Sequence, residues 1–293
     1  MSSKARARPF PGPFPGPFFD PGDLSPGAIG AFADLVLGFY REKGRSLPWR
    51  ETRDPWAILV SEVMLQQTQV DRVAPKYLAF LEAFPRPADL AAAPLSELLR
   101  LWSGLGYNRR ALALKRAAEA LSAAGAAGPP DDEEALLALP GVGPYTARAV
   151  LAFAYERPTV FVETNIRTVF LYHFFPEAEK AGDAVLEPLV AASLRREDPR
   201  TWYYALMDYG SALKREYGNP NARGSGYARQ SPFQDSHRRI RGAILRELGA
   251  GPATRDGLAA RIPFARERVE LALGELVAEG FAAERGGEIF IGE

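Results

Sequence analysis

Two glutamates stand in contexts that assign them opposite protonation states. Glu62 lies in Trp56-Ala-Ile-Leu-Val-Ser-Glu-Val-Met-Leu-Gln-Gln-Thr68. On a helix it follows Ile58 by four residues and Leu59 by three, and precedes Leu65 by three, so its carboxyl falls inside an apolar arc. Burial without a cation raises a carboxyl pKa, and a carboxyl still protonated near neutral pH can act as a general acid. A salt bridge to an arginine such as Arg50 would use the same residue structurally. Glu163 follows Val160-Phe-Val162, where a helix starts near Asn165. A carboxylate at a helix N-terminus is favoured as the anion, although plain helix-end stabilisation, by Glu163 or by the better cap Thr164, explains the same placement. One acid and one anion is the arrangement that glycosidic bond cleavage uses.

Between them stands Leu139-Pro-Gly-Val-Gly-Pro-Tyr-Thr-Ala-Arg-Ala-Val150. The spacing predicts a helix over Glu133–Ala138, a tight turn at Gly141-Val142-Gly143 and a second helix opening at Pro144. The first N–H groups of that helix form an anion site that can grip a phosphate without a basic side chain. An ordinary connection between two helices is the alternative.

The rest of the chain reads as the frame for these residues. Its 293 residues, 47% hydrophobic, suit two or three modest domains. No apolar run reaches the ~18 residues of a membrane span, and the charged, Pro/Gly-interrupted start is not a signal peptide. A cytoplasmic, nucleoid-associated monomer that does not engage membranes is expected. The absence of cysteine excludes disulfides and cysteine-ligated metal or iron–sulfur sites. Formal net charge is zero, yet from Lys214 to Glu247 eight basic residues face three acids, and from Arg100 to Arg116 five basic residues face none. Such patches fit phosphate contacts or solvated helix faces. Residues 1–26 read as a Pro/Gly-rich arm whose phenylalanines can pack on the body. Helices fit Ala28–Lys43, Asp54–Thr68, Arg72–Ala83, Pro87–Ala92, Leu95–Leu101, Arg109–Ala124, Pro144–Glu156, Asn165–Phe174, Asp183–Leu194 and Arg200–Arg215. Leu47–Arg50 reads as a loop, Thr159–Val162 as a short strand and Tyr217–Gln234 as a loop. The last segment predicts helices at Ser236–Leu248, Thr254–Ala260 and Ala265–Glu279. A hairpin of Phe281–Glu284 and Glu288–Ile291 across Gly286-Gly287 completes a winged-helix outline, which serves DNA binding or protein docking.

Leu47-Pro-Trp-Arg50, Ser61-Glu-Val-Met-Leu-Gln-Gln-Thr-Gln-Val70, Leu101-Trp-Ser-Gly-Leu-Gly-Tyr107, Leu139-Pro-Gly-Val-Gly-Pro-Tyr-Thr146 and Ala205-Leu-Met-Asp-Tyr-Gly210 occur in one order. In that order and spacing, the stretch from about Leu47 to Gly210 resembles the helix–hairpin–helix DNA glycosylases, most closely the MutY adenine glycosylases. The resemblance implies a mainly α, two-lobed fold with the cleft between the lobes: 27–49 with 154–235 as one lobe, 50–153 as the other, and 236–293 appended. It implies double-stranded DNA with a damaged or mismatched base as partner, and flipping of that base. It places Glu62 on the general acid, Glu163 on the second catalytic carboxylate, Asn165 on its supporting asparagine, and Tyr145 where lyase relatives carry lysine. Tyrosine forms no Schiff base, so little β-lyase activity is expected. Gln67 and Tyr107 fall on wedge residues. Trp49, Arg50 and Leu65 fall around the base pocket, with Gln66 and Thr146 beside them, and Asp208 near the bound base. Gly141, Val142 and Gly143 form the phosphate hairpin, and the Leu139 and Val142 backbone would hold a monovalent cation.

The chain departs from the family pattern in three ways. The second carboxylate is usually aspartate; here it is Glu163-Thr-Asn165, which moves the group by about 1 Å, a shift that catalytic geometry feels. The four cysteines of the iron–sulfur cluster are missing, so no cofactor is expected. Residues 219–234 occupy that place, and their basic loop, with the Ser236–Leu248 helix, is expected to supply the cluster loop's DNA contacts. The last segment does not resemble the domain with which these relatives read 8-oxoguanine. Removal of adenine opposite 8-oxoguanine or guanine is expected, with another damaged base, or DNA binding without catalysis, as alternatives.

Overall fold

The computed structural model describes residues 16–176, 182–218 and 236–292. The first fifteen residues of the arm and most of the expected Tyr217–Gln234 loop lie outside the described residues. Helices dominate, with a single two-stranded sheet among the described residues. The chain divides into two compact units, one drawn from residues up to Ser46 and from Leu151 to Arg229, the other from Leu47–Val150 and Gln230 onward.

In the first unit, α1 (Pro26–Lys43), α9 (Thr164–Phe174), α10 (Asp183–Ser193) and α11 (Pro199–Tyr217) pack together. α11 opens on Asp198, whose carboxylate accepts the Thr201 N–H, with Pro199 at its first position. Phe32, Phe170, Phe174 and Trp202 form its aromatic core. Phe19, from the expected arm, packs edge-on against Phe32 and beside Phe174. Thr159–Val162 is not a strand. The segment is unpaired with any sheet; Phe161 instead stacks on Tyr203 at 3.9 Å, and Tyr203 donates to the Thr159 carbonyl at 2.7 Å. The apolar residues of this short run are satisfied by aromatic packing instead of strand pairing.

In the second unit, α2 (Pro55–Leu65), α3 (Val70–Ala83), α4 (Pro87–Ala92), α5 (Leu95–Trp102) and α6 (Arg109–Ala123) precede the hairpin helices α7 (Glu133–Leu137) and α8 (Pro144–Ala154), the last of which runs past this unit's boundary at Val150. Leu47–Arg50, expected as a loop, closes into one 3-10 turn over Pro48–Arg50. α2 begins as its sequence dictates: Asp54 accepts the Trp56 N–H, Pro55 takes the first position and nine consecutive residues are buried. It ends at Leu65, short of the expected Thr68. The C-terminal module packs α12 (His237–Ala250), α13 (Arg255–Arg261) and α14 (Arg266–Ala278) with strands β1 (Ala282–Arg285) and β2 (Glu288–Ile291), and α12 lies on α5. Gly286 and Gly287 both take positive φ, 60° and 82°, which a two-residue type I′ hairpin requires. Arg285 pairs with Glu288 across it.

Candidate active site and DNA interface

α2 presents Glu62 with 5% of its surface exposed. Its carboxyl Oε2 accepts the Tyr145 hydroxyl at 2.8 Å. One residue on, the Thr146 hydroxyl meets the Gln66 side chain at 3.4 Å. The first turn of α8 therefore holds the end of α2 at two places and orients the Glu62 carboxyl. This local order arises from the hairpin. Gly141 has φ 78°, and a Cβ there would stand 2.6 Å from the Ala113 Cβ on α6, so both conformation and packing demand glycine. At Gly143 an added Cβ meets nothing within 4 Å, leaving its backbone open to approach. The Val142 N–H closes the turn on the Leu139 carbonyl at 3.1 Å. A cation held there would meet neutral backbone oxygens, donors that fit a hard monovalent ion.

The two positions expected as wedges, Gln67 and Tyr107, share one organiser, Arg110, which the sequence shows only as one residue of a basic patch. Gln67 and Tyr107 both adopt left-handed backbone, φ 53° and 50°, conformations that cost L-residues energy and persist only when their surroundings impose them. The Arg110 guanidinium holds the residues beside both. One guanidinium nitrogen donates to the carbonyls of Val63 at 2.8 Å, Met64 at 3.0 Å and Gln66. The other reaches the Thr68 hydroxyl and the Leu105 and Gly106 carbonyls. It thus caps α2 and ties the Gln67 loop to the Tyr107 loop. Desolvation draws its pKa down to about 10, which leaves it charged at neutral pH. Arg110 sits three residues after Tyr107 in the first turn of α6, the one cue the sequence offered.

The other basic residues of this stretch divide. Lys115 is buried, with its ammonium on the carbonyls of Leu90, Ala91 and Ala93, a structural cap at the end of α4. Arg109 pairs with Glu279 at 2.6 Å.

In the first unit Glu163, not Thr164, caps α9. Its Oε1 accepts the backbone N–H groups of Asn165 at 2.7 Å and Ile166 at 2.9 Å, and its Oε2 the Asn165 side chain at 3.3 Å. Burial is the largest influence on this carboxyl and pushes its pKa up; the two N–H groups, the Lys214 charge and the Asn165 amide pull the other way. The expectation of a simple helix-end anion is corrected to this balance. Residual exposure at the side chain does not offset the enclosure by α11. A Cβ on Gly210 would fall 2.1 Å from the Asn165 carbonyl, so α11 touches α9 there, and Lys214 stands one helical turn further along the same face. Lys214 is drawn down by desolvation and held up by Glu163. Its four-residue spacing from Gly210 was the only available signal.

Asp208, 4% exposed, accepts the Arg45 backbone N–H at 2.8 Å and its side chain at 2.7 Å. Trp49, 4% exposed, packs edge-on against Tyr77; Arg50 and Leu65 are partly exposed. Trp49 and Asp208 thus face structural partners of their own units.

Residues 60–190 match the HhH-GPD superfamily base excision DNA repair proteins. The chain is 38% identical over 196 residues to the thymine/uracil-DNA glycosylase of Pyrobaculum aerophilum, across 64% of this chain and 85% of that protein. This chain belongs to the HhH-GPD superfamily. It is also 40% identical over 180 residues to the adenine DNA glycosylase of Mycolicibacterium smegmatis and spans 61% of that protein's length. A thermostable thymine-DNA glycosylase structure superposes with a TM-score of 0.60 at 27% identity, over 67% of this chain and 93% of that one. The chain has no cysteine, so it supplies no thiolate for a cluster. The family match stops before α12, and the C-terminal module stands outside it.

Proposed function

We propose that this protein is a monofunctional DNA glycosylase that hydrolyses the N-glycosidic bond of a mispaired base in duplex DNA, adenine opposite 8-oxoguanine or guanine. The carrying observation is Glu62, buried on α2 and oriented by the Tyr145 hydroxyl. Glu62 gives its proton to the departing base, and the bond from C1′ to the base nitrogen breaks with its electron pair on the base. The Glu163 carboxylate, held by the α9 amides and Asn165, offsets the positive charge that develops on the sugar. Water adds to C1′ and loses a proton, leaving free base and an abasic site. Tyr145 supplies no amine, so the strand is not cut through a Schiff base. The adenine choice leans on relatives named adenine DNA glycosylases. Glu163 in place of aspartate, with a thymine/uracil-DNA glycosylase among the relatives, favours a second reading in which the released base is a mispaired thymine or uracil.

Single-turnover base release on duplexes carrying adenine opposite 8-oxoguanine or guanine, and thymine or uracil opposite guanine, decides between them. Release of adenine supports the first reading, release of thymine or uracil the second. A folded protein inert on the whole panel overturns both. Glu62→Gln is expected to lower the rate by about 10²–10⁴-fold, the usual worth of a general acid, with duplex affinity unchanged.

A further inference from the structure

Within the second unit, a groove of about 1450 Å³ runs between the Gln67 and Tyr107 loops and α12. Its lining includes eight arginines and a single carboxylate, Glu275. Not all of that charge is available. Arg109 and Arg241 are each matched by Glu279 at 2.6 Å, and Arg110 is committed to its carbonyls. Arg72 and Arg246 remain on the exposed rim, and the Arg239 guanidinium lies over the Phe264 ring at 5.3 Å. α12 carries four arginines against Glu247 alone, whereas α14 carries two arginines against three glutamates. The α14 carboxylate Glu275 faces α12 and is bound by His237 and Arg241. A three-helix module that read DNA with its last helix would present a basic surface there; this one presents it on its first. The groove also meets the wedge. Arg238 donates to the Tyr107 hydroxyl at 2.6 Å, and its guanidinium lies 5.7 Å from the ring centroid.

We propose that α12 is the nucleic-acid-facing helix of the C-terminal module, that the groove takes the sugar–phosphate backbone of duplex DNA beside the base pair being opened, and that Arg238 is the positioning residue for Tyr107. The placement beside an opened pair rests on the glycosylase reading; the groove itself does not.

The test uses the full chain and fluorescence anisotropy on a short duplex carrying a tetrahydrofuran abasic-site analogue, across KCl concentrations. Arg239→Gln with Arg246→Gln is expected to lower the slope of log affinity against log salt by about 1.8, two phosphate contacts' worth. Arg266→Gln on α14 is expected to leave it unchanged. With 2-aminopurine beside the target position, Arg238→Gln is expected to reduce the fluorescence rise on binding, and Arg238→Lys to restore part of it. An unchanged slope in the folded double variant overturns the groove. So does arginine-dependent capture of a polyglutamate peptide without arginine-dependent DNA binding, which would make α12 a protein-docking face. An unchanged 2-aminopurine signal overturns the role of Arg238. A chain that releases no base but shows the arginine-dependent slope sinks the catalytic reading and supports the groove; base release with an unaltered slope does the reverse.

Discussion

Glu163 works between opposed influences, and that makes its pH behaviour diagnostic. Burial raises its pKa while Lys214 and the α9 amides lower it. In the proposed mechanism Glu163 must be ionised to stabilise positive charge on a sugar, so activity is expected to fall as pH drops through its raised pKa. Lys214→Met removes one lowering influence and is expected to move the acidic limb of the single-turnover profile to higher pH; Lys214→Arg is expected to leave it in place. An acidic limb that ignores both substitutions would remove Lys214 from this role. The burial of Glu62 and the helix start at Glu163 were the most legible features of the candidate site, because an apolar arc and a helix start are local patterns. Lys214 and Arg45 were not legible, since each matters through a partner distant along the chain.

At the scale of elements, the hairpin separates two uses of glycine. Gly141→Ala forces a Cβ at positive φ against Ala113 and is expected to cost about 1–3 kcal/mol in stability. Gly143→Ala meets open space and is expected to leave the melting temperature unchanged while weakening duplex affinity, if phosphate approaches that backbone. Equal melting temperatures for the two variants would refute the steric account. The start of α2 was readable from Asp54-Pro55 and its apolar run. Its end was not, because Arg110 supplies the cap from the next but three helices along. Thr159–Val162 failed as a strand for the same kind of reason: a short β-branched and aromatic run records burial, and Tyr203 rather than a neighbouring strand provides it.

Across the whole molecule, acid is expected to act on the two units in order. In the first, His173 is buried; its Nδ1–H donates to the Pro17 carbonyl and its Nε2 accepts the Tyr209 hydroxyl. Desolvation lowers its pKa from 6.5 to about 4. The unfolded chain therefore binds this proton first, and stability is lost as pH falls between those values, by about 3 kcal/mol in all. In the second unit Glu279, bound by Arg109 and Arg241, is depressed from 4.5 to about 2, so its contribution is present above 4.5 and fades only below it. Hydrogen exchange at pH 5 is expected to show α9 and α11 loosened while α12 and α14 stay protected, and His173→Gln to flatten the first effect. Simultaneous loss of protection in both would contradict this order. Net charge and composition gave no hint of it, since they report neither burial nor pairing.

Arg110 has a consequence for inheritance. Because one side chain ties the Gln67 and the Tyr107 loops together, the two are not expected to be retuned one at a time. Lysine, with a single ammonium in place of a planar fork, would release both together. A loop transplanted from a relative would take its shape only if the host's guanidinium found the same carbonyls. The two loops behave as one heritable unit, and a designer who wishes to reshape either must edit three segments at once.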